Sequence, residues 1–179
     1  MKRSLLGLLL LLFVAVGCTA TQQQYALQSA LLASDVQSLS TTYSQVKYYL
    51  NAKQAQSNTF TKEEWDKLLD VDASVKLLLL KYETIVKLNT TNFNIYDVGI
   101  MWNLTKASYT KAREVVVAHK GEFDVSTQLL FESFDLQAQI TSERIDTLLT
   151  DPTTANITQT VSLIVGVLGL AVKILSIAA

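Results

Sequence analysis

The 179 residues are enough for one domain and too few for two of ordinary size. With 15 basic and 16 acidic side chains mixed along the chain, there is no basic field for nucleic acid and no acidic tail. A single cysteine excludes an internal disulfide framework, while one proline and six glycines favour a mostly helical fold.

The mean hydropathy of +0.25 traces to two apolar stretches, one at each end of the chain. Lys2 and Arg3 precede the first, Leu5 to Val16. At about a dozen residues it has the length of a signal-peptide core and is too short to span a bilayer as a mature helix. It closes on Ala15-Val16-Gly17-Cys18, with small residues before the cut and a cysteine after it. This resembles the lipobox of bacterial lipoproteins, whose thiol is diacylated before cleavage, here between Gly17 and Cys18. Ala15 stands where that family more often carries leucine.

The resemblance covers residues 1–18 and implies a lipid-modified Cys18 outside the cytoplasm. Two or three acyl chains anchor stably where one holds marginally. Thr19 follows in place of an inner-membrane retention aspartate, which implies the periplasmic face of the outer membrane if the host is Gram-negative. An ordinary secretory leader containing a cysteine, or an uncleaved anchor, is the alternative. Loss of Lys2 and Arg3 leaves 13 basic against 16 acidic residues, a net charge of −3.

Residues 18–24 read as a polar tether and residues 25–151 as an antiparallel bundle of about four helices. In the first helix, Leu32, Val36, Leu39, Tyr43, Val46 and Leu50 alternate spacings of four and three, a narrow seam. Such a seam suits an oligomeric coiled coil or, as preferred here, an intramolecular bundle. Ser57-Asn58-Thr59-Phe60 breaks the chain, and Thr61 with Glu64 forms a capping box, stapled by Phe60 and Trp65. The second helix runs to about Leu88, and its Leu77-Leu78-Leu79-Leu80 turn is expected to be buried on nearly every side.

After Asn89-Thr90-Thr91-Asn92, a third helix to about His119 carries Met101, Trp102, Leu104, Tyr109, Ala112 and Val116. Its Val115-Val116-Val117 run leaves a short strand as an alternative. Lys120-Gly121 reads as a helix C-terminus. Asp124 or Ser126 caps a fourth helix, with Phe131, Phe134, Ala138, Thr141, Ile145 and Leu148 as its seam, and Asp151-Pro152 ends it.

Residues 152–179 form a C-terminal hydrophobic helix. From Ile157 onward the only charge is Lys173. Ile157 to Ile177, marked by Val161, Leu163, Gly166 and Leu170, meets the ~20 residues needed to cross a bilayer. Lys173 near its end is placed to snorkel to headgroups, and Ser162 with Gly166 has the small-xxx-small spacing of close helix contacts. The transmembrane reading is preferred. The alternatives are the central helix of a bundle, in which Lys173 needs a partner, and a helix that inserts only on triggering.

No motif announces a reaction. His119, the only histidine, reads as a surface side chain at a helix end. There is no Glu-x-x-His pair, no Cys/His metal cluster and no phosphate-binding glycine pattern. Glu63, Glu64, Asp66, Asp70 and Asp72 mostly complement a helix N-terminus, a cation site being the minor alternative. Tyr43, Tyr48 and Tyr49, with Trp65 across the turn, read as a core residue and its shield, the alternative being a contact with a membrane interface or a partner. No cofactor is implied.

The expected partners are membrane lipid through Cys18, a second membrane contact through Ile157 to Ile177, and a protein whose identity the sequence does not name. The leading expectation is an envelope lipoprotein acting by protein or membrane interaction, as a periplasmic binding or structural subunit. The end-to-end plan also resembles the unimolecular spanins of tailed phages, which join and fuse inner and outer membranes at lysis. That resemblance implies Cys18 as outer anchor and Ile157 to Ile177 as inner anchor. The middle departs from it, since a bundle reaches about a quarter of the ~200 Å of the same helices laid end to end. A membrane-permeabilising protein is a third class.

Overall fold

The computed structural model describes the backbone of residues 2–87, 94–150 and 154–179, and the side chains of residues 30–84, 94–150, 157 and 159–179. Five α-helices account for nearly all of it: α1 Lys2–Ser57, α2 Lys62–Lys87, α3 Ile95–Ala118, α4 Val125–Thr150 and α5 Thr154–Ala178. A 3-10 turn at Lys120–Glu122 links α3 to α4, and the described residues contain no strand. The expected leader and tether share the backbone of α1, and Gly17 and Cys18 lie where side chains fall outside the described ones. The expected break at residues 89–92 also lies outside the described residues.

Each seam explains its helix. All six seam residues of α1, from Leu32 to Leu50, are buried within the chain, as a bundle requires. The α1–α2 connection turns at Asn58, whose φ of 49° is the left-handed conformation that asparagine tolerates best among non-glycine residues. Thr61 and Glu64 close the capping box: the Thr61 backbone N–H donates to Glu64 Oε2 at 2.8 Å, and Glu64 N–H to Thr61 Oγ1 at 3.3 Å. The staple is present as well, with the Phe60 and Trp65 rings stacked at 6.3 Å.

Helix α3 runs through Val115 and Val116, both buried, so tertiary packing overrides their strand preference. Asn94 caps its start by accepting from Tyr96 N–H at 3.0 Å. Asp124, not Ser126, caps α4: its Oδ1 accepts from Thr127 N–H at 2.7 Å and from the Ser126 hydroxyl at 2.8 Å. Gly121 sits inside the 3-10 turn with negative φ, so it is no left-handed helix cap.

Two burial expectations are corrected. In the four-leucine turn of α2, Leu78 and Leu79 are buried but Leu77 and Leu80 are 44% and 61% exposed. Helix α2 packs mainly on α1 and α3, and Leu77 and Leu80 lie on a side those helices leave uncovered. His119 is not a surface side chain: it is 13% exposed, lies edge-on to Phe60 at 5.6 Å, and faces Glu64 and Glu122.

Helix α5 is apolar and long enough to cross a membrane over Gln159–Ala178. It packs most extensively on α3 and α4 and also on α1, whereas α1 and α4 barely meet. Val161, Ile164, Val167, Leu168, Ala171 and Ile174 on α5 have no accessible surface. At its C-terminus Lys53 Nζ donates to the Ala178 carbonyl at 2.8 Å, placing a cation where the helix dipole favours one.

Candidate functional site

Because α1 and α4 stand apart, one face of α5 lies open between them. The exposed and half-exposed positions include Gln159, Ser162, Gly166, Gly169, Lys173 and Ser176. They are spaced three, four, three, four, three, so they form one line along the helix. All six are small or polar.

Above this line runs a groove of about 480 Å³. Its floor is Gly166, Gly169, Ser162, Leu163, Val165 and Leu170 of α5, and Lys173 lies at one end. One wall is Asp35, Ser38, Leu39 and Thr42 of α1; the other is Gln137 and Thr141 of α4. A Cβ added at Gly166 or Gly169 meets nothing within 4 Å, so the glycines leave space instead of relieving a clash.

The groove carries charge but no reactive constellation. The Lys173 ammonium stands 5.6 Å from the Phe134 ring centroid, a cation–π contact, and neither it nor Asp35 is ion-paired among the described residues. The Thr42 and Thr141 hydroxyls donate to backbone carbonyls four residues earlier, of Ser38 at 2.9 Å and of Gln137 at 2.7 Å.

A second hollow of about 230 Å³ lies between α1, α2 and Leu175 of α5. It surrounds Asp72, which accepts from Tyr43 at 2.6 Å, Lys47 at 2.8 Å and Lys76 at 2.7 Å. Burial pushes the Asp72 carboxyl up, but these donors outweigh it and hold its pKa at about 2. Burial, and then the bond to Asp72, push the Tyr43 phenol above its ordinary value.

The acidic stretch is engaged in similar fashion: Glu63 with Lys67, Asp66 with Lys62, and Asp70 with Lys111. No group of three or more metal-ligating side chains is found among the described residues. His119 Nδ1 is 3.1 Å from Glu122 Oε1, and its Nε2 is 3.4 Å from Glu64 Oε1.

Of the sequence-selected positions on α5, Leu163, Gly166 and Leu170 line the groove, Val161 is buried in the core, and Ile157 and Ile177 are half-buried. The groove walls were missed, since Asp35, Ser38, Thr42 and Gln137 are ordinary polar positions in their own helices. The floor had a readable signal. The Ser162–Gly166 spacing continues to Gly169 and Lys173.

Compared with protein-family models, with curated proteins and with solved structures, the chain matches none of them.

Proposed function

We propose that the chain is an envelope lipoprotein that acts by binding another protein. Cys18 anchors it by lipid to the periplasmic face of the outer membrane of a Gram-negative host. The helices form an up-and-down bundle, α5 is its central helix and not a membrane span, and the groove over α5 receives the partner. The observation that carries this reading is the chemistry of the uncovered face of α5. A span in lipid turns large apolar side chains outward; here the outward line is Gln159, Ser162, Gly166, Gly169, Lys173 and Ser176, and the large apolar side chains face other helices. With α5 so engaged, Cys18 is the remaining membrane attachment.

Export from a conventionally cleaved leader, with a mature chain starting at Thr19, tests this reading. That cysteine-free chain is expected in the supernatant after alkaline carbonate extraction, whereas the native chain pellets with a fatty-acid label lost in Cys18→Ser. A Thr19 chain that stays in the membrane pellet overturns it. A photo-crosslinking side chain at Gly166 is expected to capture one envelope protein, and the same group at exposed Lys62 is not. Equal capture from both positions removes the groove as the binding face.

A second reading has one observation in its favour. The 20-residue segment Gln159–Ala178 has a mean hydropathy of 2.4, sufficient to cross a bilayer. If α5 leaves the bundle, the chain becomes a bridge between two membranes, as in the spanin resemblance. The same carbonate extraction separates the two readings.

A further inference from the structure

Two turns at one end of the bundle meet at a single imidazole. His119 follows the last residue of α3. Its N–H donates to the Val116 carbonyl at 3.1 Å and its carbonyl accepts from Glu122 N–H at 2.9 Å, so the backbone fixes where the ring stands. Phe60 of the α1–α2 turn lies beside the ring, and each ring nitrogen faces a carboxylate from a different element. Nδ1 is directed at Glu122 in the 3-10 turn and Nε2 at Glu64 in the first turn of α2.

Glu64 divides its two oxygens between two tasks. Oε2 accepts from the Thr61 N–H and the Thr61 hydroxyl, both at 2.8 Å, and so closes the capping box of α2; Oε1 is the oxygen turned to His119. Burial pushes the Glu64 carboxyl up, but the bonds from Thr61 and the facing imidazole outweigh it and hold the pKa below the ordinary value. Glu122 is more open, with its side chain 68% exposed. The other charged groups of these elements are engaged elsewhere. Lys67 pairs with Glu63 and Glu114, Lys62 with Asp66 and Lys120 with Glu132, while Asp124 caps α4.

A neutral imidazole has one N–H and one lone pair. Set between two carboxylates, it donates to one and turns its lone pair on the other. An imidazolium donates to both, and its charge also suits the C-terminal end of α3. We propose that His119 is a proton-operated latch: one proton taken from solvent on the acid side of neutrality ties the start of α2 to the turn after α3, and its loss releases that tie. The latch is closed where the imidazole is charged and both carboxylates are ionised. Imidazole is the side chain whose charge ordinarily changes between about pH 5 and 8, so the tie is present at the lower end of that window and lost as pH rises through it.

Hydrogen–deuterium exchange of the full chain in non-ionic detergent, read by mass spectrometry over residues 58–66 and 117–124, tests the latch. At about pH 5.5 the native chain is expected to exchange about fivefold more slowly there than His119→Gln, and at about pH 8 the two are expected to agree. Comparing the two chains at one pH cancels the intrinsic pH dependence of exchange. Glu64→Gln keeps an acceptor for the capping box but removes the charge facing Nε2, and is expected to lose the acid-side protection as well. Equal exchange of the native chain and His119→Gln at both pH values overturns the proposal. So does a difference as large at the higher pH as at the lower, which would make the ring a packing residue on Phe60, or acid-side protection that survives Glu64→Gln. If a variant does not fold, carbon-13 NMR of the native chain decides alone. The Glu64 carboxylate signal is expected to move between about pH 6 and 7, above the range in which carboxylates themselves titrate, and a flat signal there overturns the latch.

Discussion

Asp72 ties α1 to α2 through Tyr43 and Lys47, with its side chain only 17% exposed. Its pKa is lowered from 3.8 to about 2 on folding, so its stabilisation is complete above pH 4 and is lost as pH falls through about 2. An acid titration of unfolding free energy is expected to show a loss of about 2 kcal/mol across that window, and Asp72→Asn to remove this dependence. A profile unchanged in the variant would place the acid sensitivity elsewhere. Asp135 is buried and accepts from Tyr109 at 2.5 Å and from Arg113 at 2.8 Å. Asp135→Ala is expected to cost about 3 kcal/mol in chemical denaturation, because it removes the acceptor of Tyr109, Arg113 and Gln139. Lys62→Ala, which breaks an exposed pair with Asp66, should cost under about 0.5 kcal/mol. Tyr82 presents the opposite case: its hydroxyl is buried without a partner among the described residues, so Tyr82→Phe is expected to be neutral or stabilising.

At the level of the helices, α5 combines a buried apolar circumference with one small, polar line. Glycine within a helix costs about 0.5–1 kcal/mol relative to alanine, and neither Gly166 nor Gly169 has a neighbour that a methyl group would strike. Gly166→Ala and Gly169→Ala are therefore each expected to raise the denaturation free energy by that amount. A loss at either position would mean that the helices close over α5 more tightly than described. The sequence made the seams of α1 and α3 legible because a seam is a repeat within one helix, and burial of Leu32 to Leu50 follows it residue by residue. It misjudged the leucine turn of α2, because four consecutive leucines state how much apolar surface exists and not how many neighbours arrive to cover it.

For the molecule as a whole, α5 supplies about a third of the described buried apolar side chains, from Val161 to Ala178. At about 1.5–3 kcal/mol for each of the larger ones, their loss exceeds the 5–15 kcal/mol net stability of an ordinary domain. A chain ending at Pro152 is accordingly expected to lose cooperative thermal unfolding and to aggregate. Retention of a sharp transition would show that the first four helices fold without α5.

The seams of α1 and α3 and the Thr61–Glu64 cap were legible in the sequence, because they depend on spacings of three and four and on side chains that bond to their own backbone. How α5 packs against the other helices was visible only in three dimensions. An almost wholly apolar helix is satisfied equally by lipid and by other side chains, and its own residues do not distinguish the two. The facing surfaces of α1, α3 and α4 are distant in the chain and meet α5 only after folding. The groove arises in the same way: α1 and α4 stand apart over Gly166 and Gly169, a separation encoded in no single helix.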